Sequence, residues 1–216
     1  MPKAYLLQHG RLVETEDYRA AVWVDLLSPT RDEETGLESL LDIELPTRED
    51  MEEIEISSRL YEEDGGIFMT AQLPANTEEE NTQMGPVTFV LIGGRLITIR
   101  YHDPRSFGIF TTRATRTPIG GDSSETVFLG LLETLVDRLA DIIERAGRTV
   151  TPISKGIFQP SASRAKGGIQ HRSYLEAIGR TGDLISDIRD SLMTLDRAVG
   201  FYAQHLVGRS GTEVLR

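Results

Sequence analysis

Carboxylate side chains that could bind a cation are concentrated near position 50 of this 216-residue sequence. Glu49 and Asp50 are adjacent, three further glutamates follow at positions 52, 53 and 55, and Glu133 stands alone in a later apolar segment. Carboxylate oxygens are hard ligands of the kind that magnesium and calcium prefer. A solvated acidic face, which also favours helix N-termini, explains the same pattern, and the spacing alone leaves both interpretations open.

Other kinds of chemistry find little support in the residue types. The absence of cysteine excludes disulfides, thiolate metal sites and cysteine nucleophiles. The glycine pairs Gly93-Gly94 and Gly120-Gly121 match no phosphate-binding loop, no histidine lies three or four residues from another, and no GxSxG motif occurs. The sequence therefore predicts a protein that is not an enzyme.

Charge is distributed unevenly along the chain. Residues 1–150 carry a net charge of −14 and residues 151–216 a net charge of +3. Binding to a phosphate backbone needs clustered lysine and arginine, so this balance disfavours a nucleic-acid partner. No secretory signal and no run of about 18 apolar residues is present, and we expect the chain as given to be soluble.

The first half alternates strand and helix signals. Turn residues at 9–10, 64–66 and 93–94 separate pairs of apolar runs and predict three hairpins, and residues 21–26 predict a further strand. Thr30 and Glu33 have capping-box spacing, and Leu45-Pro46-Thr47 predicts a short helix that turns Met51 and Ile54 inward. Another helix should run from Asp103-Pro104 to about Arg116. We expect an α+β fold: an α/β sandwich head with a mixed sheet flanked by helices.

Glu133 lies in a segment with a broad apolar helical face. Asp122 or Ser123 should cap this bridging helix, and Gly147 and Pro152 should end or kink it. Residues from Pro160 to Gly168 are then expected to form a flexible connection.

The last segment carries a heptad stripe in which nine of ten positions are apolar: Tyr174, Ile178, Thr181, Ile185, Ile188, Leu192, Leu195, Val199, Tyr202 and Leu206. Such a stripe predicts a long helix packed against a partner helix. At a rise of 1.5 Å per residue it would reach on the order of 50 Å, which favours a projecting stalk; the alternative is a helix folded back on the chain's own helices. We therefore divide the chain into a head, residues 1–120, and a bridging-helix, connection and stalk region, residues 121–216, packed together as one structural unit.

The order of several short motifs resembles the cytoplasmic domain of CorA-type divalent-cation transporters. These motifs are Trp23-Val24-Asp25-Leu26, then Leu45-Pro46-x-x-Glu49-Asp50, then Arg59-Leu60-Tyr61-Glu62, the strand pair Val87–Ile92 and Leu96–Arg100, and the helix Phe128–Asp137 with Glu133 and Val136-Asp137. The likeness spans about residues 20–207. One departure is Ser57-Ser58 before Arg59, where the family often has Arg-Pro, which leaves the transported ion open and keeps zinc-transporting relatives in view.

This resemblance implies a homopentameric channel at the inner membrane whose cytoplasmic funnel senses the ion. The stalk would continue into two membrane spans and a Gly-Met-Asn loop that lie outside this chain, so the chain by itself would be soluble. Regulatory Mg²⁺ bound between neighbouring funnels would hold the pore shut, with Zn²⁺ and Co²⁺ as alternative ions. The family's acidic pair falls on Glu49 and Asp50, its bridging-helix carboxylate falls on Glu133, and a further ligand would lie beyond Arg216.

A second hypothesis needs no membrane. The heptad helix and the charge asymmetry also fit a soluble coiled-coil scaffold or sensor that dimerises and docks a basic partner on its acidic head.

Overall fold

The computed structural model describes residues 2–78, 82–158 and 167–213 of the chain. The strands are β1 (Lys3–Gln8), β2 (Arg11–Thr15), β3 (Trp23–Leu27), β4 (Leu60–Glu63), β5 (Gly66–Ala75), β6 (Gln83–Ile92) and β7 (Arg95–Arg100). The helices are α1 (Arg31–Leu41), α2 (Arg48–Glu52), α3 (Ile56–Arg59), α4 (Arg105–Arg116), α5 (Ser124–Phe158) and α6 (Gly167–Glu213). The expected connection at 160–168 falls largely on residues 159–166, outside the described residues, and Gly167 and Gly168 already belong to α6.

The described strands form one mixed sheet in the order β2-β1-β3-β7-β6-β5-β4. Its central pair, β3 with β7, is parallel, and the other pairs are antiparallel. The three predicted hairpins are present, and at the β6–β7 turn Gly93 and Gly94 have φ of 56° and 74°, values that glycine adopts without steric cost. The predicted α+β class is thus confirmed.

Side chains alternate between the two faces of the sheet and create two cores. On the first face, Trp23, Phe89 and Leu96 pack against α4, α5 and α6. On the second face, Val24, Phe68 and neighbouring residues pack against Leu37 of α1 and Met51 of α2. Helices therefore cover both faces, and α2 and α5 lie on opposite sides of the sheet.

The long C-terminal helix is present, but its buried side differs from the predicted stripe. Thr181, Ile188, Leu195 and Tyr202 are buried as predicted, and Phe128 of α5 meets Tyr202 edge to face at 5.3 Å. On the second line, Ser191 and Ala198 are buried and Leu184 is partly buried, one residue before the predicted line of Ile185, Leu192 and Val199. Of that predicted line, Leu192 is partly buried against the first core, while Ile185 and Val199 are exposed. Over residues 181–202 the helix is therefore folded back on its own head, the alternative to a stalk standing clear of it.

This packing also covers a strand edge. β4 pairs with residues 66–69 of β5, so the outer edge of residues 70–75 has no strand neighbour among the described residues. Gln72 N–H donates there to the Thr194 hydroxyl of α6 at 3.0 Å, and Pro74 has no N–H to offer. The contact protects an edge that could otherwise pair with another chain.

Two local predictions are corrected. α5 continues through Gly147 and Pro152 to Phe158, so neither residue ends it, and the alternative that they kink it stays a prediction. Ile54 is 87% exposed because it follows the end of α2 instead of lying on its buried face. In α4, Phe107 and Phe110 are buried and Ile109 is exposed.

Candidate metal-binding surface

Helix α2 presents the acidic pair, and three contacts hold this short helix in place. Met51 is buried in the second core, and the Arg48 guanidinium lies over the Tyr101 ring at 5.1 Å from its centroid. The N-cap residue Thr47 accepts from Asp50 N–H at 3.3 Å. A five-residue helix is not stable by itself, so these contacts fix the positions of its side chains.

The Asp50 carboxylate is already engaged within the chain. Its Oδ2 accepts hydrogen bonds from Thr47 N–H at 2.8 Å and from the Thr47 hydroxyl at 2.7 Å, which completes a capping box. Both bonds end on one oxygen, and Oδ1 of this exposed residue has no hydrogen bond in the described part of the chain. Burial raises the pKa of the neighbouring Tyr61 to about 12, and the negative charges of Glu63 and Asp50 add to this effect.

Glu49 is exposed on the same helix, and no hydrogen bond or ion pair holds its carboxylate among the described residues. In the first turn of α2 its charge also favours the helix N-terminus. Glu49 and the Oδ1 atom of Asp50 thus present carboxylate oxygens to solvent, as a hydrated magnesium ion would require.

Glu133 lies elsewhere. It projects from α5 with 67% of its side chain exposed, and its Oε2 lies 3.4 Å from the Arg113 guanidinium of α4. An exposed pair at this distance contributes little to stability. Because α5 covers the first face of the sheet and α2 the second, one chain does not bring Glu133 to the acidic pair. Within the described residues, no group of three or more histidine, aspartate or glutamate side chains could hold a metal ion.

A buried ion pair between β3 and β7 was not predicted. Asp25 receives two hydrogen bonds from Arg100, at 3.0 Å from Nε and 2.7 Å from Nη2, and one from the Thr98 hydroxyl at 2.7 Å. Arg100 also contacts Asp103 and stacks on Phe107 at 4.2 Å. Burial disfavours the charged guanidinium, but its bonds to Asp25 and Asp103 outweigh this and raise the pKa of Arg100.

The sequence held a signal that Asp25 needs a partner, although not which residue that partner is. Asp25 follows Trp23 by two positions in a strand, so the two side chains lie on the same buried face, where a charge needs a partner.

A second unpredicted cluster surrounds Glu78 in the β5–β6 connection. Arg105 of α4, together with Arg138 and Arg145 of α5, contacts the same Glu78 oxygen. These residues are more than 25 positions from Glu78 in sequence, so only the fold reveals the cluster.

Comparison with known proteins decides the family. The model of the CorA-like Mg²⁺ transporter protein family matches residues 18–206. The chain belongs to the CorA family. Magnesium transport protein CorA of Mannheimia succiniciproducens is 28% identical over 209 residues, and that of Escherichia coli K12 is 28% identical over 206 residues. Each alignment covers 93% of this chain, and the chain spans 64% of the length of each relative.

Solved structures agree on the CorA fold. The complete CorA magnesium transporter of Methanocaldococcus jannaschii superposes with a TM-score of 0.58 at 11% identity, covering all of this chain and 81% of that one. The ZntB cytoplasmic domain of Vibrio parahaemolyticus gives a TM-score of 0.51 at 13% identity, over 97% of this chain and 98% of that one. Among the described residues, no helix is long and apolar enough to cross a membrane. The CorA relatives are named as transport proteins, not as enzymes.

Proposed function

We propose that this chain is the cytoplasmic, ion-sensing domain of a CorA-type transporter of magnesium or a related divalent cation. The observation that carries the proposal is the family match over residues 18–206. The fixed, solvent-facing carboxylates of α2 supply the chemistry, since hard oxygen donors suit Mg²⁺. Zn²⁺ and Co²⁺ remain alternative ions, and the full transporter would place this domain at the cytoplasmic face of the inner membrane.

The regulatory site would form between copies of the chain. Glu49 and Asp50 lie on one side of the sheet and Glu133 on the other, so a site that uses all three needs a neighbouring subunit. Like charges 4 Å apart repel by about 4 kcal/mol at an effective dielectric of 20 and by about 1 kcal/mol in water. Repulsion of this size would loosen an interface when the ion is absent, and bound Mg²⁺ would offset it.

Helix α6 offers a surface for such an assembly. Ile178, Ile185, Val199 and Leu206 lie on its outer side at multiples of seven residues and are 40–48% exposed. These four residues form an outer stripe; Leu192, the fifth member of the same heptad line, packs against the first core. We propose that it contributes to self-association, and that the full-length protein is a homopentamer.

Sedimentation velocity of the 216-residue chain tests the proposal. At high protein concentration, Mg²⁺ should shift the wild type to larger species compared with NaCl of the same ionic strength. The Glu49→Gln/Asp50→Asn double variant should lose this shift, because it removes both charges that Mg²⁺ would neutralise.

The matched control is the Glu52→Gln/Glu53→Gln double variant. It also removes two negative charges, one from the last residue of α2 and one from its C-cap residue. It should respond to Mg²⁺ as the wild type does. A wild type that ignores Mg²⁺, or an equal loss in both double variants, would contradict a site at Glu49 and Asp50.

A further inference from the structure

The Glu78 cluster contains more positive than negative charge. The Glu78 Oε1 atom lies 2.9 Å from Arg138 Nη2 and 3.2 Å from Arg145 Nη1, and it also contacts Arg105 Nη1. Three guanidinium groups therefore share one carboxylate oxygen. The hydrogen bond from Arg138 and the charge of Arg105 lower the pKa of Glu78, so the carboxylate is ionised at neutral pH and cancels only one of three positive charges.

The arginines also have unused donors. Each guanidinium carries five N–H groups, more than one carboxylate oxygen can accept. Arg138 Nε is buried and has no hydrogen-bond partner among the described residues. A buried donor without a partner costs free energy that a ligand oxygen could recover.

A cavity of about 270 Å³ lies beside this cluster. Arg105, Arg138 and Glu78 line it, and so do Pro104 and Ser106 at the start of α4. Asp103 also lines it, and its carboxylate is paired with Arg100. Pro104 is the N-cap of this twelve-residue helix and supplies no side-chain hydrogen bond. Phe107 N–H donates to the Pro104 carbonyl oxygen at 3.1 Å, so the N–H groups of Arg105 and Ser106 are the ones left for an anion among the described residues. The cavity also has an apolar lining, formed by Leu73, Leu135, Leu139 and Ile142.

We propose that this cavity binds a small phosphate-bearing molecule, whose phosphate displaces Glu78 from Arg105 and Arg138, the two arginines that line it. The arginine forks and the N-terminus of α4 match the geometry and charge of a phosphate group. The apolar wall suits the organic part of a phosphate ester. Glu78 serves as the internal counterion of the empty pocket and competes with the ligand.

Calorimetric titration of the 216-residue chain tests this pocket with inorganic phosphate and with adenosine monophosphate, at ionic strength matched with NaCl. Arg138→Gln should weaken both ligands by about tenfold or more, since it removes a charged donor. Glu78→Gln should strengthen both, because it removes the competing carboxylate. Tighter binding of the nucleotide identifies an organic phosphate as the ligand, and equal binding identifies free phosphate; either result supports the pocket.

Arg148→Gln is the matched control, because Arg148 lies on the same helix but pairs with Glu144 at the surface. It should bind both ligands as the wild type does. Three results would overturn the proposal: no heat beyond that of the NaCl control, unchanged affinity in Arg138→Gln, or weaker binding in Glu78→Gln. The last would show that Glu78 only holds the loop to α5. None of these measurements depends on Mg²⁺, so they are independent of the proposed ion sensing.

Discussion

At the scale of single residues, the Asp50 carboxylate has two competing uses. Its Oδ2 closes the capping box of α2, and only Oδ1 is open to an external ligand. Removing an N-terminal cap costs about 0.5–2 kcal/mol, so changes at Asp50 combine an effect on folding with any effect on ion binding. Glu49 has no such intramolecular role among the described residues, which makes Glu49→Gln the cleaner probe of the proposed site.

His102 provides a residue-scale prediction about pH. Its side chain is buried, and its Nε2 lies 2.8 Å from the Leu73 carbonyl oxygen. Burial lowers the pKa of His102 below its ordinary value of 6.5, and the charge of Arg100 adds to this, against the opposing hydrogen bond to Leu73. The unfolded chain therefore binds a proton at His102 more readily than the folded chain does. The stability that neutral His102 contributes is complete above about pH 6.5 and is lost as pH falls below that value.

Urea unfolding between about pH 7.5 and about pH 5 measures this effect. The wild-type free energy of unfolding should fall through this range, and His102→Gln should flatten part of the fall, whatever its stability at neutral pH. Equal pH dependence in the two proteins would show that His102 titrates normally in the fold.

At the scale of elements, α6 shows what a hydrophobic pattern can and cannot predict. The spacing of Thr181, Ile188, Leu195 and Tyr202 identified one buried line correctly. The second line contains Ser191 and Ala198, small residues that let the helix approach the sheet closely. A prediction that looks for apolar side chains selects the larger Leu192 and Val199 beside them instead. Close approach depends on the partner surface, which the helix sequence does not contain.

Ala198→Leu tests this close contact. Ala198 is fully buried in the first core, and added methylene groups there should cost about 1–3 kcal/mol of unfolding free energy. Ala203→Leu is the matched control, because Ala203 is exposed on the same helix and should change stability by less than about 0.5 kcal/mol. Urea unfolding measures the free energy of unfolding of both variants. Equal values for Ala198→Leu and Ala203→Leu would contradict the observed packing.

Much of the head could be predicted from local signals. Hairpin turns, the Thr30 capping box and alternating strands depend on residues close in sequence, and they appear in the structure as expected. The Glu78 cluster and the Asp25–Arg100 pair join residues from distant elements and required the fold. The Thr47–Asp50 capping box had a readable local spacing, but the carboxylate of Asp50 was interpreted only as a metal ligand.

At the scale of the whole molecule, the sheet separates the proposed ligands. Glu49 and Asp50 on one face and Glu133 on the other present carboxylates in two directions. We propose that neighbouring copies bring these surfaces together, with the outer stripe of α6 contributing to the assembly. We also retain the division into residues 1–120 and 121–216 as a proposal, with both parts in one structural unit, since α5 and α6 contribute to the first core.

The most direct measurement of ion sensing is Mg²⁺ flux through a full-length transporter that contains this chain, recorded while the Mg²⁺ concentration on the side of this domain is varied. Wild-type flux should fall as that concentration rises. In Glu49→Gln the half-inhibiting concentration should increase severalfold, while the flux at low Mg²⁺ and the amount of protein in the membrane stay at wild-type levels. Glu52→Gln should behave as the wild type. The same half-inhibiting concentration in Glu49→Gln and in the wild type would contradict the assignment of this carboxylate to ion sensing.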